Sequence, residues 1–177
     1  SSPERPLLLI VDDDALICAT LSFSMRPLFA VVTSHSRPHC MQLLRELRRA
    51  PSLALVDLGL PPVPHRPDEG LALISDLLKA APEIRIVVLS GQSDEGNARH
   101  ARALGAADFV AKPCNPADLQ QVLKRALAFR ALDERHHQAD GTSPLIGSSP
   151  AIEKLRVQLR QYADLPFPVL IEGESGS

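Results

Sequence analysis

Four short apolar runs, each followed by a polar residue, constrain this chain most. They are Leu7 to Val11, Leu53 to Val56, Ile84 to Leu89 and Ala107 to Ala111, the last interrupted by one acid. Such runs are typical of parallel strands that helices cover on both faces. Helical patterns alternate with them, and a shorter strand is expected at Phe29 to Val32. The sequence therefore predicts an α/β fold, a doubly wound five-stranded parallel sheet with helices on both faces.

The residues after these runs carry the groups that a phosphoryl-transfer site needs. In chain order they are Asp12 with Asp13, then Asp57, Ser90 and Lys112. The carboxyl ends of parallel strands meet at one edge of the sheet, so we expect these side chains to lie close together. Clustered carboxylates stay ionised only beside a cation, and oxygen ligands without thiols suit Mg²⁺. A lysine and a hydroxyl would contact phosphoryl oxygens.

Helix signals lie between the runs. We expect Ser36 to start a helix that has Pro38 in its first turn, because a missing N–H costs nothing there. Asn115 is expected to cap a helix beginning at Pro116. That helix can run to about Arg135, and the polar residues that follow, from His136 to Thr142, indicate a loop or linker.

Composition excludes several classes of function. The net charge of -2 gives no electrostatic footprint for nucleic acid, and 45% hydrophobic residues suffice for a core. The 3 cysteines, an odd number at wide spacing, favour free thiols in a reducing cytosol. We find no apolar run as long as a membrane span and no signal peptide core. The sequence thus predicts a cytoplasmic protein that does not contact a membrane.

At these residues the chain resembles the receiver domain of two-component response regulators, with a flavodoxin-like strand order 2-1-3-4-5. The resemblance rests on five fragments in the family's order: Asp12-Asp13, Asp57-Leu58-Gly59-Leu60-Pro61, Ser90-Gly91, Gly105-Ala106-Ala107-Asp108-Phe109 and Lys112-Pro113. It implies a phosphoacceptor role for Asp57, with a sensor histidine kinase or phosphotransfer protein as donor.

The resemblance also implies the roles of the other site residues. Asp13, Asp57 and the backbone carbonyl of Gly59 would bind Mg²⁺ directly, and Asp12 would act through water. Ser90 and Lys112 would contact the phosphoryl oxygens. Phe109 would be the aromatic side chain that moves inward with Ser90 when the domain switches.

A second resemblance begins at about Leu145. The segment through Ser149-Pro150, and then Gly173, Glu174, Ser175, Gly176 and Ser177 after a short apolar run, look like the opening of the ATPase domain of nitrogen-regulator-type sigma-54-dependent transcription activators. Those five residues would form an incomplete P-loop, because the Gly-Lys that reaches the phosphates does not follow them here. The resemblance therefore implies ATP as a cofactor only of a full-length protein.

These observations predict the organisation of the chain. Residues 1–6 are expected to be a disordered leader or a cloning scar, 7–130 a receiver domain, 131–143 a helical linker and 144–177 the truncated start of an AAA+ ATPase domain. The chain would act as a switch rather than an enzyme. A homodimer is expected, through the long last helix or the face of helix four, strand five and helix five. Sigma-54 RNA polymerase and enhancer DNA would be partners of regions outside this chain.

Two alternatives stay open in the sequence. The first is a Mg²⁺-dependent phosphatase or mutase with an aspartyl-phosphate intermediate. Such enzymes usually carry a second acid two positions after the nucleophile, where this chain has Gly59.

The second concerns the role of residues 62–69, a proline-rich loop longer than receivers usually have. We expect a stiff flap near Asp57. His65 or Arg66 could reach the phosphoryl group from it, or could be its solvated tip.

Overall fold

The computed structural model describes residues 3–91 and 95–139, except for the side chains of 133, 134 and 136–139. The backbone divides into two units, Ser1–Glu134 and Arg135–Ser177. The fold below is that of the first unit. The expectations for the leader at 1 and 2, for the end of the linker and for the ATPase segment, including Gly173 to Ser177, fall outside the described residues. No described helix is both long enough and apolar enough to cross a bilayer.

Five parallel strands form one sheet in the order β2-β1-β3-β4-β5. This is the fold class and strand order predicted from the sequence, which the structure confirms. The strands are β1 Leu7–Val11, β2 Ala30–Ser34, β3 Leu53–Val56, β4 Arg85–Ser90 and β5 Asp108–Ala111.

Five helices connect and follow the strands. Each helix begins where the chain leaves the carboxyl edge of the sheet, so the helices return the chain to the opposite edge. They are α1 Ala15–Met25, α2 Arg37–Glu46, α3 Asp68–Ala80, α4 Glu95–Leu104 and α5 Pro116–Ala139.

Alternating strand residues divide the core into two layers. Leu8 and Ile10 of β1 pack with the buried faces of α1 and α5, whereas Leu9 and Val11 pack with α2, α3 and α4. The same alternation holds in β3 and β4. Because both faces are covered, every residue of β1 and β3 is buried, which accounts for their nearly uniform apolar composition.

Helix starts follow the capping signals of the sequence. The Ser36 side chain accepts a hydrogen bond from the His39 backbone N–H, and proline lies in the first turn of α2. The Asn115 side chain accepts one from the Ala117 backbone N–H at 2.8 Å, directly before α5. Both predicted caps are confirmed.

Several predicted boundaries were wrong. Strand β2 runs from Ala30 to Ser34 rather than from Phe29 to Val32, because its backbone pairs with β1 as far as Val11 opposite Ser34. Ser90 is the last residue of β4 rather than the residue after it. Helix α5 ends at Ala139 rather than at about Arg135, so the first residues of the predicted loop or linker are helical. Polar composition alone does not end a helix when no proline or glycine intervenes.

Gly70, in the first turn of α3, lies directly against the backbone of the loop after β3. A Cβ atom there would lie 2.3 Å from the Leu58 Cα atom and 2.8 Å from the Asp57 carbonyl oxygen. The Gly70 backbone N–H donates to the Leu58 carbonyl at 3.2 Å. Only glycine lets the helix pack directly on the backbone that carries Asp57.

We expect Gly70→Ala to destabilise the fold by about 1 to 3 kcal/mol, because the added methyl group must displace backbone atoms. Alanine alone would stabilise a helix by roughly 1 kcal/mol, so the sign of the change is diagnostic. Chemical denaturation followed by circular dichroism measures it. Gly91→Ala is the matched control, since no described atom lies within 4 Å of its Cβ position. An unchanged or increased stability of Gly70→Ala would contradict the packing described here.

Candidate functional site

The carboxyl edge of the sheet brings the predicted polar residues together. Asp12 and Asp57 directly follow β1 and β3, which are neighbours in the sheet. Strand β1 also pairs with β2 on its other side, so consecutive connections leave the sheet in opposite directions at this point. The result is a crevice at the ends of β1 and β3. Carboxylate oxygens of Asp12, Asp13 and Asp57 lie within 4.8 Å of one another there.

Asp12 is buried, and the protein already occupies both of its carboxylate oxygens. Oδ1 accepts a hydrogen bond from the Asp14 backbone N–H at 2.9 Å. Oδ2 accepts one from Lys112 Nζ at 2.7 Å. Each oxygen therefore has one protein partner, and because the partner of Oδ2 is a cation, Asp12 needs an additional cation less than the other two acids do.

Asp57 is 8% exposed and has weaker partners than Asp12. Its Oδ1 accepts a hydrogen bond from the Gly59 backbone N–H at 3.2 Å. Lys112 Nζ lies 3.4 Å from Oδ2. Burial raises the pKa of Asp57, and the charge of Asp12 raises it further, while Lys112 acts in the opposite direction. Asp57 is therefore a carboxylate that gains from an additional cation.

Asp13 is the exposed member of the cluster. Partial desolvation raises its pKa, and the charges of Asp12 and Asp57 raise it further. Burial lowers the pKa of the Lys112 ammonium group. The hydrogen bonds and charges of Asp12 and Asp57 raise it by more, so the pKa of Lys112 is raised overall. Among the described residues, Lys112 thus supplies one positive charge to a cluster of three carboxylates, which leaves negative charge in excess there.

This donor set fits a hard divalent cation. The three carboxylates supply oxygen ligands at one point, one of them exposed, and burial together with the neighbouring carboxylate charges raises the pKa values of Asp13 and Asp57. Mg²⁺ binds through one or two carboxylates and keeps several waters, which suits a cluster with an open side. Asp13 and Asp57 are the members that could hold such an ion directly.

The remaining predicted residues lie in β4, in β5 and in the proline-rich loop. Ser90 ends β4 and is buried, and its carbonyl accepts the Lys112 backbone N–H at 3.0 Å. Phe109 is partly buried in β5 and packs against the core layer of α2, α3 and α4. In the proline-rich loop, Arg66 pairs with Asp68 at 3.0 Å, and both side chains are exposed.

Sequence reasoning missed two residues that touch the site. His35, just after β2, places Nδ1 3.0 Å from the Asp12 carbonyl oxygen. The Cys18 thiol, on α1, donates to the same oxygen at 3.4 Å. Neither belongs to a recognisable motif, and the two are 17 positions apart in the chain. Only the tertiary structure brings them together.

A sheet of this order, with carboxylates and a lysine at the β1 and β3 edge, defines the CheY-like class of α/β domains. The family described as the response regulator receiver domain matches residues 8–124. The chain therefore belongs to the response regulator receiver family, as the sequence predicted. The alternative of an aspartyl-phosphate phosphatase or mutase is not favoured.

Relatives and solved structures agree with this assignment. The chain is 31% identical to the alginate biosynthesis transcriptional regulatory protein AlgB of Pseudomonas aeruginosa over all of its length, which spans 39% of AlgB. It is 37% identical to the regulator NtrC of Azospirillum brasilense over 63% of its length, or 24% of NtrC. The structure of NtrX from Brucella abortus in complex with ADP matches 90% of this chain and 34% of that one, with a TM-score of 0.69 and 27% identity.

We expect Asp13→Asn to raise the stability of the metal-free protein, because a carboxyl group whose pKa is raised by folding destabilises the fold above that pKa. The gain should stay below about 1 kcal/mol, since the group is exposed. Excess Mg²⁺ should raise the melting temperature of the wild type. It should raise the melting temperature of Asp13→Asn much less.

Asp14→Asn is the matched control. It removes the neighbouring charge, but asparagine can still accept from the Leu16 and Ile17 backbone N–H groups at the start of α1. This variant should keep the response to Mg²⁺. Equal responses of wild type and Asp13→Asn would exclude Asp13 as a ligand.

Proposed function

We propose that Asp57 is the phosphoacceptor of this receiver domain. The observation that carries the proposal is the placement of a buried carboxylate 3.4 Å from Lys112 Nζ, within a cluster of three carboxylates. A partner histidine kinase or phosphotransfer protein would be the donor. A carboxylate oxygen of Asp57 forms the new bond to phosphorus while the bond between phosphorus and the donor nitrogen breaks.

Mg²⁺ is the metal that we propose for the site, held by Asp13, Asp57 and the backbone carbonyl of Gly59. Asp12 would contribute through water, as the family resemblance implies, while its carboxylate accepts hydrogen bonds from Asp14 and Lys112. When bound, the metal supplies positive charge for the phosphoryl oxygens.

The protein groups would orient and stabilise the phosphoryl group. The Gly59 N–H fixes Oδ1 of Asp57, so the carboxylate presents a defined oxygen to the donor. Lys112 Nζ lies close enough to Oδ2 to contact phosphoryl oxygens bound to Asp57. Lys112 and Ser90 would thus stabilise charge that develops on those oxygens during transfer.

Phosphorylation would then change the packing at the β4 and β5 end of the sheet. A phosphoryl group adds up to two negative charges and strong acceptors, toward which Ser90 would turn. Phe109 is partly buried two positions along the strand from Ala111, which pairs with Ser90. Its inward movement would repack the face formed by α4, β5 and α5, which would pass the signal on.

The output that we propose is activation of sigma-54-dependent transcription by a longer protein. Gly173 to Ser177 resemble the start of a P-loop, and similarity to AlgB extends over the whole chain. NtrC of Azospirillum brasilense is itself a DNA-binding transcriptional regulator. ATPase activity, ATP as a cofactor, enhancer DNA and sigma-54 RNA polymerase would all belong to that longer protein. We propose the cytoplasm as its location.

Acetyl phosphate should phosphorylate Asp57 only in the presence of Mg²⁺. Intact-protein mass spectrometry should show one added phosphoryl group in the wild type. Asp57→Asn should show none, because an amide is not a nucleophile for this transfer. Asp108→Asn is the control, since this acid lies at the start of β5, where Arg125 pairs with it. Labelling of Asp57→Asn equal to that of wild type would assign the acceptor elsewhere.

We also propose that the domain dimerises through α5. Phe129 and Leu132 are 39% and 45% exposed, and they are three residues apart, which places them on one face of the helix. Arg130, between them, turns inward and pairs with Glu83 at 3.5 Å. The described part of the chain thus leaves two large apolar side chains of α5 uncovered.

Phe129→Asp should shift the protein from dimer to monomer in sedimentation equilibrium, because a charge at the centre of an apolar contact costs several times the thermal energy. Phe23→Asp is the matched control, since Phe23 is the most exposed large apolar side chain of α1, at 78%. It should leave the mass unchanged. A monomeric wild type, or a dimer that survives Phe129→Asp, would contradict an α5 interface.

A further inference from the structure

The backbone of Asp12 is held on both sides by groups outside the motif. Its N–H donates to the Ser34 carbonyl at 3.1 Å, which extends the pairing of β1 with β2 by one residue. Its carbonyl oxygen receives His35 Nδ1 at 3.0 Å and the Cys18 thiol at 3.4 Å. Two side chains from different elements therefore converge on a single oxygen, at the point where the chain enters the carboxylate cluster.

The chemistry of the carbonyl fixes the protonation of the imidazole. A carbonyl oxygen only accepts hydrogen bonds, so Nδ1 of His35 must carry the proton. Cys18 Sγ lies 3.7 Å from the same nitrogen and cannot donate to it, which agrees with its thiol donating to the Asp12 oxygen instead. The His35 side chain is exposed, so water competes with the Asp12 carbonyl for its Nδ1–H group.

The oxygen in question belongs to the peptide unit between Asp12 and Asp13. Because that unit is planar, the direction of its carbonyl fixes the direction in which Asp13 leaves β1. The Asp13 carboxylate is the exposed member of the cluster, so the direction of its backbone contributes to where it lies.

We infer that His35, assisted by Cys18, is a positioning residue for the metal site, which orients the Asp12 to Asp13 peptide so that the Asp13 carboxylate faces Asp57. The inference deepens the proposed function and rests on it for the identity of the metal. His35 touches neither the metal nor the phosphoryl group in this role. It acts only through the Asp12 carbonyl, so this role requires a hydrogen-bond donor at the Nδ1 position.

The imidazole of His39 provides a natural comparison. It lies four residues further on, is also exposed, and places its Nδ1 2.7 Å from the Ser34 hydroxyl rather than from Asp12. His39 is therefore an exposed imidazole in the same region of the chain, and its Nδ1 bonds Ser34 instead of the Asp12 carbonyl.

The first test needs no metal. Imidazole ¹⁵N shifts of the metal-free wild type, recorded where histidine is neutral, should show His35 as the Nδ1–H tautomer. Free imidazole side chains prefer the Nε2–H tautomer, so the result is diagnostic. An Nε2–H tautomer for His35 would overturn the inference.

The second test is the Mg²⁺ affinity of matched variants, followed by amide chemical shifts during titration. His35→Ala should weaken binding about three- to tenfold, the change expected for loss of one neutral hydrogen bond. His35→Asn keeps a donor near the Nδ1 position and should restore most of the affinity. His35→Gln carries its amide further out and should resemble alanine. His39→Ala should bind as the wild type does.

These outcomes separate a positioning role from a structural one. Equal affinity of His35→Ala and wild type, or failure of asparagine to restore it, would overturn the inference, even if stability fell. The proposed function fails separately, if acetyl phosphate leaves the wild type unmodified although the variants still differ in Mg²⁺ affinity. Phosphorylation of the wild type with identical affinities of all variants would retain the proposed function and exclude His35 from it.

Discussion

The site depends on a fold that keeps three carboxylates within 4.8 Å of one another, with Lys112 as the one ammonium group that the described residues bring to them. Lys112 binds Asp12 at 2.7 Å and Asp57 at 3.4 Å, so it serves the first acid more closely than the second. Burial, and after it the charges of the neighbouring acids, raises the pKa values of Asp13 and Asp57. The fold therefore maintains a local excess of negative charge. A metal ion would offset this excess, and the site would then accept a phosphoryl group. In this sense the unfavourable electrostatics of the site are the basis of its proposed chemistry.

Such an imbalance persists only if the surrounding backbone is rigid. The sheet supplies part of that rigidity, because Asp57 donates its N–H to the Val11 carbonyl at 2.8 Å, as Asp12 does to Ser34. Helix α3 supplies another part by packing Gly70 directly on the Asp57 and Leu58 backbone.

The start of α3 is in turn fixed to α2. Arg37 of α2 reaches Asp76 at 2.8 Å and Glu69 at 3.3 Å. The proline-rich loop, which separates β3 from α3, thus ends at a firmly held helix.

Much of this arrangement was predictable from the sequence, and the physical reason is local. Runs such as Leu53 to Val56 are apolar on both faces and so identify central parallel strands. Capping by Asn115 depends on a residue only two positions away. Each acid of the site, and the lysine, is marked by the apolar run directly before it. These features determined the fold class, the family and the set of candidate site residues. Strand ends such as Ser34 and Ser90 were misplaced because pairing with a neighbouring strand, rather than composition, decides where a strand stops.

Tertiary structure alone decided how the site is held. Three contacts between distant parts of the chain hold it: Lys112 bonds the Asp12 carboxylate, Gly70 lies against Leu58, and His35 reaches the Asp12 carbonyl. No periodicity or spacing encodes such contacts, because they arise from the angles at which helices and loops leave the sheet. The sequence determined which groups this protein brings to its site, and the packing of the sheet and helices decided which of those groups are occupied and which remain open to a ligand.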